Sequence, residues 1–525
     1  MKLLTLSRSH LFFTKMLQSR LQKLFTKPSN INILPMARAF PRLPNGLNMK
    51  IEGLQIPFDE ALLPQTEGVY LVGGSIRDLL LDRHSIDYDI AVSKNPDLFA
   101  RRLSNRIGGR LVRFGKPGQA LFRIVGPEMV FDVTAVRGTS IEADLQERDF
   151  TINAMAYALD SKIFIDPFNG RADLAAKKLT IVSENVFEKD PVRLVRAYRI
   201  CAVYGLRMDP DTDFKIRMES HRIRESPPER ITGELIRIFS ASNISETISQ
   251  MARSELLFHI LPELKETIGC TQNRYHAFNV FEHTFKALSH LERLQENLEA
   301  FFPKAASQIR KSLHEKSFTL LKWAMLLHDI GKPVVRSAGP EGKIHFGGHE
   351  KTGAQMAADI CRRLRFSNAD TQDTVFIIRN HVRPLFLFLA CKNPGFSRRI
   401  KIRFFLRCGD YTPALLLHAV ADIQGKSDVP DLRNEAFLSF ARDLVWEYFE
   451  DYLEIKRQVP LITGFDLIRE FDLAPSPIMK KILGRIREAQ LSKEILDRAS
   501  AVRLARDMIG KRNPTAESAE GTLRG

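Results

Sequence analysis

A chain of 525 residues, 44% of them apolar, has material for several domains with real cores, and its formal charge of +16 suits either a polyanionic partner or plain solubility. Apolar runs such as Ala324 to Leu327 and Pro384 to Ala390 are short and flanked by charge, which excludes a membrane-spanning helix. Five scattered cysteines without a CxxC pair exclude a disulfide framework and point to a reducing compartment, the cytoplasm.

Residues 1–50 hold nine Lys or Arg and no Asp or Glu, so they read as a disordered basic appendage. It is an organelle transit peptide, an arm that touches RNA, or an over-extended start whose true initiator is Met36 or Met49. Residues 51–165 read as an α/β head. Its strands are "VYLVG", "DYDIAV", "LFRIV" and "MVFDVTAV", with a helix around 76–82. The first strand runs into "GGS", where Gly73 and Gly74 let the backbone approach a ligand closely and the following helix can face phosphates. In "DYDIAV" side chains alternate, so Asp87 and Asp89 share one face. Two such carboxylates can hold Mg²⁺ in a phosphoryl-transfer site. A lone DxD is more often a solvated surface turn; the glycine turn upstream reverses that balance.

The set of motifs resembles the tRNA nucleotidyltransferases and bacterial poly(A) polymerases of the class II polymerase-β-like superfamily. "LVGGSIRD" is similar to the family's nucleotide-binding turn and "DYD" to its metal-binding acids. "RDFTINAMAY", "IDPFNGRADL", "DPVRLVRAYRI" and "PERITGEL" follow in the family's order, covering about residues 68–240. The resemblance implies a mixed-sheet head with helices, followed by all-α neck, HD and tail domains. It implies Mg²⁺ on Asp87 and Asp89, nucleotide contacts from Arg148 and Asp149, and a turn positioned by Asn153. Arg77, Asp78 and Arg196 add triphosphate or structural contacts. Asp190 and Arg193, three apart on a helix, would read the base edge, although an ordinary ion pair is the commoner fate of that spacing. Lys189 stands where the family has an acid. Asp132 is either a third metal acid or an edge-strand aspartate bonded to a local amide, and Arg137 lies within reach of substrate beside it.

Between Arg137 and the "RDFTIN" block only "GTSIEADLQE" intervenes, whereas CCA-adding members carry a longer flexible loop there. In the family that shortening marks enzymes that add two cytidines and stop, and a short connection fixes one geometry where a lever loop would reshape the pocket.

Residues 166–270 read as a helical neck, 271–425 as a second helical unit, 426–510 as a C-terminal helical region binding tRNA, and 511–525 as a disordered tail. The second unit supplies His283, His328, Asp329, His349, His381 and Asp422. That ordered set suits a divalent transition metal or Mg²⁺, although any one of these histidines alone would be an ordinary core residue. The order resembles the HD phosphohydrolases and implies hydrolysis of phosphoesters at RNA ends. In the tail region Lys480, Lys481 and Arg485 either contact the tRNA backbone or form a solvated helix face.

The reading is a template-independent nucleotidyltransferase that takes CTP, and ATP if it completes CCA, to a tRNA 3′ end. A separate A-adding enzyme would finish the job if it stops at CC. The alternatives are a poly(A) polymerase, an HD phosphohydrolase with a vestigial head, and a nucleotide-sensing regulator. The sequence leaves the oligomeric state open.

Overall fold

The computed structural model describes Ile56 and residues 58–115, 120–272, 277–339, 342–429 and 431–510. The basic extension and the tail beyond 510 lie outside these residues. The chain divides into two units, up to Pro262 and from Glu263 onward. No helix among the described residues is long and apolar enough to cross a membrane.

The head is built on a seven-stranded sheet. Its strands are β1 (Val69–Val72), β2 (Asp87–Val92), β3 (Arg110–Phe114), β4 (Leu121–Val125), β5 (Val130–Ala135), β6 (Ala156–Ala158) and β7 (Phe164–Ile165), in spatial order β3-β4-β5-β2-β1-β6-β7. Only β2 and β5 pair in parallel; the other neighbours are antiparallel. Alternation assigns the faces. Val69, Leu71, Tyr88, Ile90, Val92, Phe131 and Val133 join one core on one side, with Phe99 and Leu103 of the helix Pro96–Ile107 packed into it. Each large side chain fully buried there contributes about 1.5–3 kcal/mol. Val72, Ala91 and Ala156 face a smaller core on the other side. Asp87 and Asp89 share Ala91's face, at the start of the central strand.

The sequence reading named four strands. It missed β3, an edge strand with no fully buried residue, and β6 and β7, which are two or three residues long and hidden in a motif. The helix after β1, α1 (Gly74–Leu80), starts two residues earlier than expected, directly after Gly73 at φ +67°. A short helix, α2 (Ile141–Gln146), follows β5. The neck contributes α3 (Arg193–Tyr204) and α4 (Pro228–Ser240), whose apolar stripes pack Leu194, Ala197, Leu235 and Phe239 inward.

The second unit is helical. The elements that matter are α5 (Val280–Glu296), α6 (Glu315–Leu327), α7 (His349–Arg363), α8 (Asn368–Asn380) and α9 (Thr412–Gln424). The Asn279–Glu282 capping box starts α5, and Ser367 caps α8. Further along, Gly464–Phe471, Pro477–Leu491 and Arg498–Gly510 close around a small core of Leu467, Ile482, Ile486, Ala501 and Ala505.

Candidate functional site

The parallel register sets Asp89 beside Asp132, and the antiparallel β4–β5 register sets Arg123 beside Asp132. A row of one guanidinium and two carboxylates therefore crosses three strands on one face. Arg123 grips Asp132 with Nε to Oδ1 at 2.8 Å and Nη2 to Oδ2 at 2.6 Å. The partner of Asp132 is thus a guanidinium on the next strand, not the local amide that one sequence reading offered. Burial pushes the Asp89 carboxyl up; Arg148 opposes that, Asp132 and Asp87 add to it, and the group ends at about 6. Its own N–H donates to Ser75 Oγ at 2.7 Å, fastening β2 to the first turn of α1. A Cβ on Gly73 would lie 2.5 Å from Arg148 Nη1 and 3.5 Å from Asp89 Oδ2, so a side chain there would displace the guanidinium, and the positive φ itself favours glycine.

A cleft of about 560 Å³ opens over this row. Gly73, Gly74, Arg77, Asp89, Asp132, Arg137, Arg148, Asp149, Asn153, Arg193 and Arg196 line it, together with Asp144, Glu147, Arg199, Glu234 and Arg237, which sequence reasoning did not single out. Asp87 and Asp190 are not among the lining residues. Asp87 lies at the exposed start of β2.

Most of these cations are committed to other protein groups. Arg77 donates to Asn153 Oδ1 at 2.6 Å, to Asp78 at 3.0 Å and to the Tyr204 hydroxyl, with its guanidinium 4.1 Å from the Tyr204 ring centroid. Asn153 donates in turn to Asp149 Oδ1 at 2.9 Å, and Arg196 joins Asp149 (3.1 Å) to Glu234 (2.9 Å). Burial alone would raise the Asp149 carboxyl, but Arg196, Asn153 and the Phe150 N–H outweigh it and hold it below the usual range. Arg137 and Arg237 reach the cleft with no side-chain partner among the described residues. They are free to meet an anion.

Asp190 and Arg193 do not share a helix. Pro191 forces the residue before it into extended backbone (φ −154°, ψ 92°), and α3 begins only at Arg193. Arg230 holds both Asp190 oxygens at 2.8 Å, while Arg193 keeps a looser 3.8 Å approach and donates to the Glu147 carbonyl at 2.9 Å. Lys189, which departs from the expected acid, pairs with Glu147 at 2.9 Å. Glu147 stands directly before "RDFTIN", so the departure at Lys189 meets an acid from the head. The "PERITGEL" helix carried the signal for Glu234 and Arg230, both of which it contains.

In the second unit the six predicted ligands do converge. His283 Nε2 lies 2.9 Å from Asp422 and 3.7 Å from Asp329, and His328 Nε2 lies 3.2 Å from Asp329. His349 and His381 approach Nε2 to Nε2 at 3.3 Å, with His349 3.5 Å and His381 3.9 Å from Asp329. Each ring is aimed by its other nitrogen. Nδ1 of His328, His349 and His381 bonds the carbonyl three residues back, at 2.8, 2.9 and 2.6 Å, and His283 Nδ1 bonds Gly425 O at 3.1 Å. That pattern fixes the tautomer with an Nε2 lone pair facing inward, as a metal ligand needs. Buried His328 Nε2 has no hydrogen bond of good geometry, Asp329 Oδ2 faces the Lys332 ammonium at 2.6 Å, and two donor groups share Asp329: His283 with His328, and His349 with His381. The donor set fits a divalent cation that accepts imidazole and carboxylate. Burial would lower His328, yet Asp329 and Asp422 raise it to about 10, so a proton on Nε2 sits between those carboxylates at neutral pH unless a cation takes its place. His418, one turn before Asp422 on α9, was missed; it is fully buried 5.2 Å from the His328 ring, and its i, i+4 spacing to Asp422 was the available sign. A cleft of about 1500 Å³ reaches Asp329, His349, His381 and Asp422, with Lys332, Lys392, Lys426 and Phe386 in its walls.

Comparison with known proteins finds related domains in both units. Residues 69–180 match the poly A polymerase head domain, 205–268 the probable RNA- and SrmB-binding site of polymerase A, and 280–401 the HD domain. An A-adding tRNA nucleotidyltransferase of Deinococcus radiodurans is 29% identical over 83% of this chain and 94% of its own length. A CC-adding tRNA nucleotidyltransferase of Synechocystis is 27% identical over 86% and 96%. A multifunctional CCA protein of Nitrosococcus oceani is 31% identical over 60% of this chain and 74% of its own length. Among solved structures, the Thermotoga maritima CCA-adding enzyme complexed with tRNA shares the fold, with a TM-score of 0.55 at 18% identity over 84% of this chain and 91% of that one.

Proposed function

This chain belongs to the tRNA nucleotidyltransferase and poly(A) polymerase family, and on that premise we propose that its head adds CMP from CTP to tRNA 3′ ends and stops at CC. One observation carries the choice of nucleotide. The connection from Arg137 to Arg148 is ten residues long and folded into α2, leaving no loop to act as a lever on the cleft. The A-adding relative favours adenosine as a second reading.

The geometry supports the following division of labour. Asp87 and Asp89, with Asp132, would hold Mg²⁺, which when bound would supply charge neutralisation for the triphosphate and a lowered pKa for the attacking 3′-hydroxyl. Arg148 and the unpaired Arg137 and Arg237 bind phosphate oxygens in line with the acceptor. Arg193 presents its donors at the neck side of the cleft, where a base edge would lie, while Arg230 orients Asp190. The Arg77–Asn153–Asp149–Arg196–Glu234 chain keeps the glycine turn and the neck helices in one register. We assign the head to residues 51–165, the neck to 166–270, the HD domain to 271–425 and a tRNA-binding region to 426–510. The HD cluster would hold a divalent ion and hydrolyse phosphoesters. Five unpaired cysteines fit a cytoplasmic protein.

The test is incubation with tRNA ending at the discriminator base and CTP, ATP or both, followed by sequencing of the 3′ ends. Ends that stop at CC with ATP present are expected. Ends reaching CCA would refute the stop, and absence of any incorporation would refute the transferase.

A further inference from the structure

The short connection before Arg148 does more than omit a loop. Asp144, in α2, is buried to 4% relative exposure and faces the head cleft. Its Oδ2 accepts from Arg148 Nε at 3.2 Å and Nη2 at 3.0 Å, and its Oδ1 accepts the Arg137 backbone N–H at 3.1 Å. One carboxylate therefore ties together the two arginines that bracket the connection. Ser140 Oγ caps the same helix from the Ala143 N–H at 3.3 Å. Three residues on, Glu147 offers its carbonyl to Arg193 and its carboxylate to Lys189, both at 2.9 Å.

Arg148 needs this tether. Its Nη1 rests 2.5 Å from where a Gly73 Cβ would stand, and it is the leading charge that opposes the rise in the Asp89 pKa. A guanidinium placed over the glycine turn and beside the metal acids meets a bound triphosphate only in a narrow range of positions. An Arg side chain left to itself samples many rotamers, and ordering it carries an entropic cost. A buried carboxylate taking two of its donors leaves Nη1 to point at the turn.

We propose that Asp144 is a positioning residue for nucleotide binding: it latches Arg148 and the end of β5 at one distance from Asp89, so that the cleft keeps a single geometry. This rests on the head's being a nucleotidyltransferase and deepens that reading, by naming the group that replaces loop movement with a fixed contact. A latch of this kind acts mainly on substrate affinity. It also acts on nucleotide choice, because the same segment carries the carbonyl that holds Arg193.

The experiment is a double-mutant cycle of Asp144→Asn and Arg148→Ala in the full chain, read as KM and kcat for CTP and ATP and, independently, as the dissociation constant of CTP by equilibrium dialysis. Loss of a charge-assisted pair predicts a rise in KM and Kd of about tenfold for Asp144→Asn, with kcat within about threefold. In the Arg148→Ala background the same substitution adds less than about twofold, because its target is gone. Discrimination of CTP over ATP narrows in Asp144→Asn. Independent factors that multiply in the double variant, or a fall in kcat at constant KM, overturn the proposal. Ser140→Ala removes the cap of the same helix without touching Arg148, so an equal rise in KM there also overturns it. If Asp144→Asn fails to fold, Asp144→Glu keeps the charge and shifts the guanidinium by a methylene; unchanged KM and Kd in that variant contradict the latch. The binding arm separates the two readings: a protein that binds CTP through an intact cycle yet incorporates nothing refutes the transferase and keeps the latch.

Discussion

Replacing Asp89 by Asn should abolish nucleotide incorporation and stabilise the head, with the pH dependence fixed by one carboxyl. Asp89 stands on the central strand beside Asp132 and on the same face as Asp87. Burial, with those two acids, raises it from 3.8 to about 6. A folded-state pKa above the unfolded value means that the protonated form is the one folding favours. The group therefore costs nothing below about pH 4, and its cost grows as pH rises through about 6. Two pKa units correspond to about 3 kcal/mol, and partial exposure at the cleft leaves about 2 kcal/mol of that at pH 8. For a unit of this size the melting temperature of Asp89→Asn should exceed that of the wild type by about 4–8 °C at pH 8 without Mg²⁺, and the two should converge only below the unfolded carboxyl value, at about pH 3.5. Adding Mg²⁺ at pH 8 should raise the wild type alone, since only its acids gain a ligand. Differential scanning calorimetry of the head transition, with incorporation assays in parallel, makes the check. A variant less stable than the wild type at pH 8, or equally stabilised by Mg²⁺, would refute the reasoning.

The backbone at Gly73 gives a second prediction: Gly73→Ala places a Cβ against Arg148 in a left-handed conformation that costs about 1–2 kcal/mol, so KM for CTP should rise about tenfold with a small loss of melting temperature. An unchanged KM would show that the turn tolerates a side chain. The Glu147–Lys189 pair predicts compensation. Lys189→Glu should lower incorporation about threefold, the scale of a half-exposed ion pair, and Glu147→Lys with Lys189→Glu should restore it; a double variant as poor as the product of its singles would sink the pairing. In the helical unit, His349→Ala and His381→Ala should each lower bound metal per chain measured by inductively coupled plasma mass spectrometry, while CMP incorporation stays within about twofold. Metal content equal to the wild type would remove those histidines from the ligand set.

Local pattern carried much of this protein. The strand, glycine turn and helix around Gly73 are written in consecutive residues, and the shared face of Asp87 and Asp89 follows from the two-residue period of any strand. The histidines and aspartates of the second unit were legible as an ordered set of residue types, while their meeting joins segments up to 139 residues apart. The tertiary structure decided what depends on pairing between distant segments. The parallel register of β2 with β5 puts Asp132 beside Asp89, and β4 supplies the Arg123 that holds it. A proline took Asp190 off the neck helix, and Arg230, forty residues later, captured it. Asp144, an unremarked acid in a ten-residue connection, became the tether of Arg148 because burial and two donors selected it from several nearby carboxylates. A sequence states which charges exist and how each strand or helix faces; which charge meets which is settled only when long-range packing removes water and leaves each buried group one partner within reach.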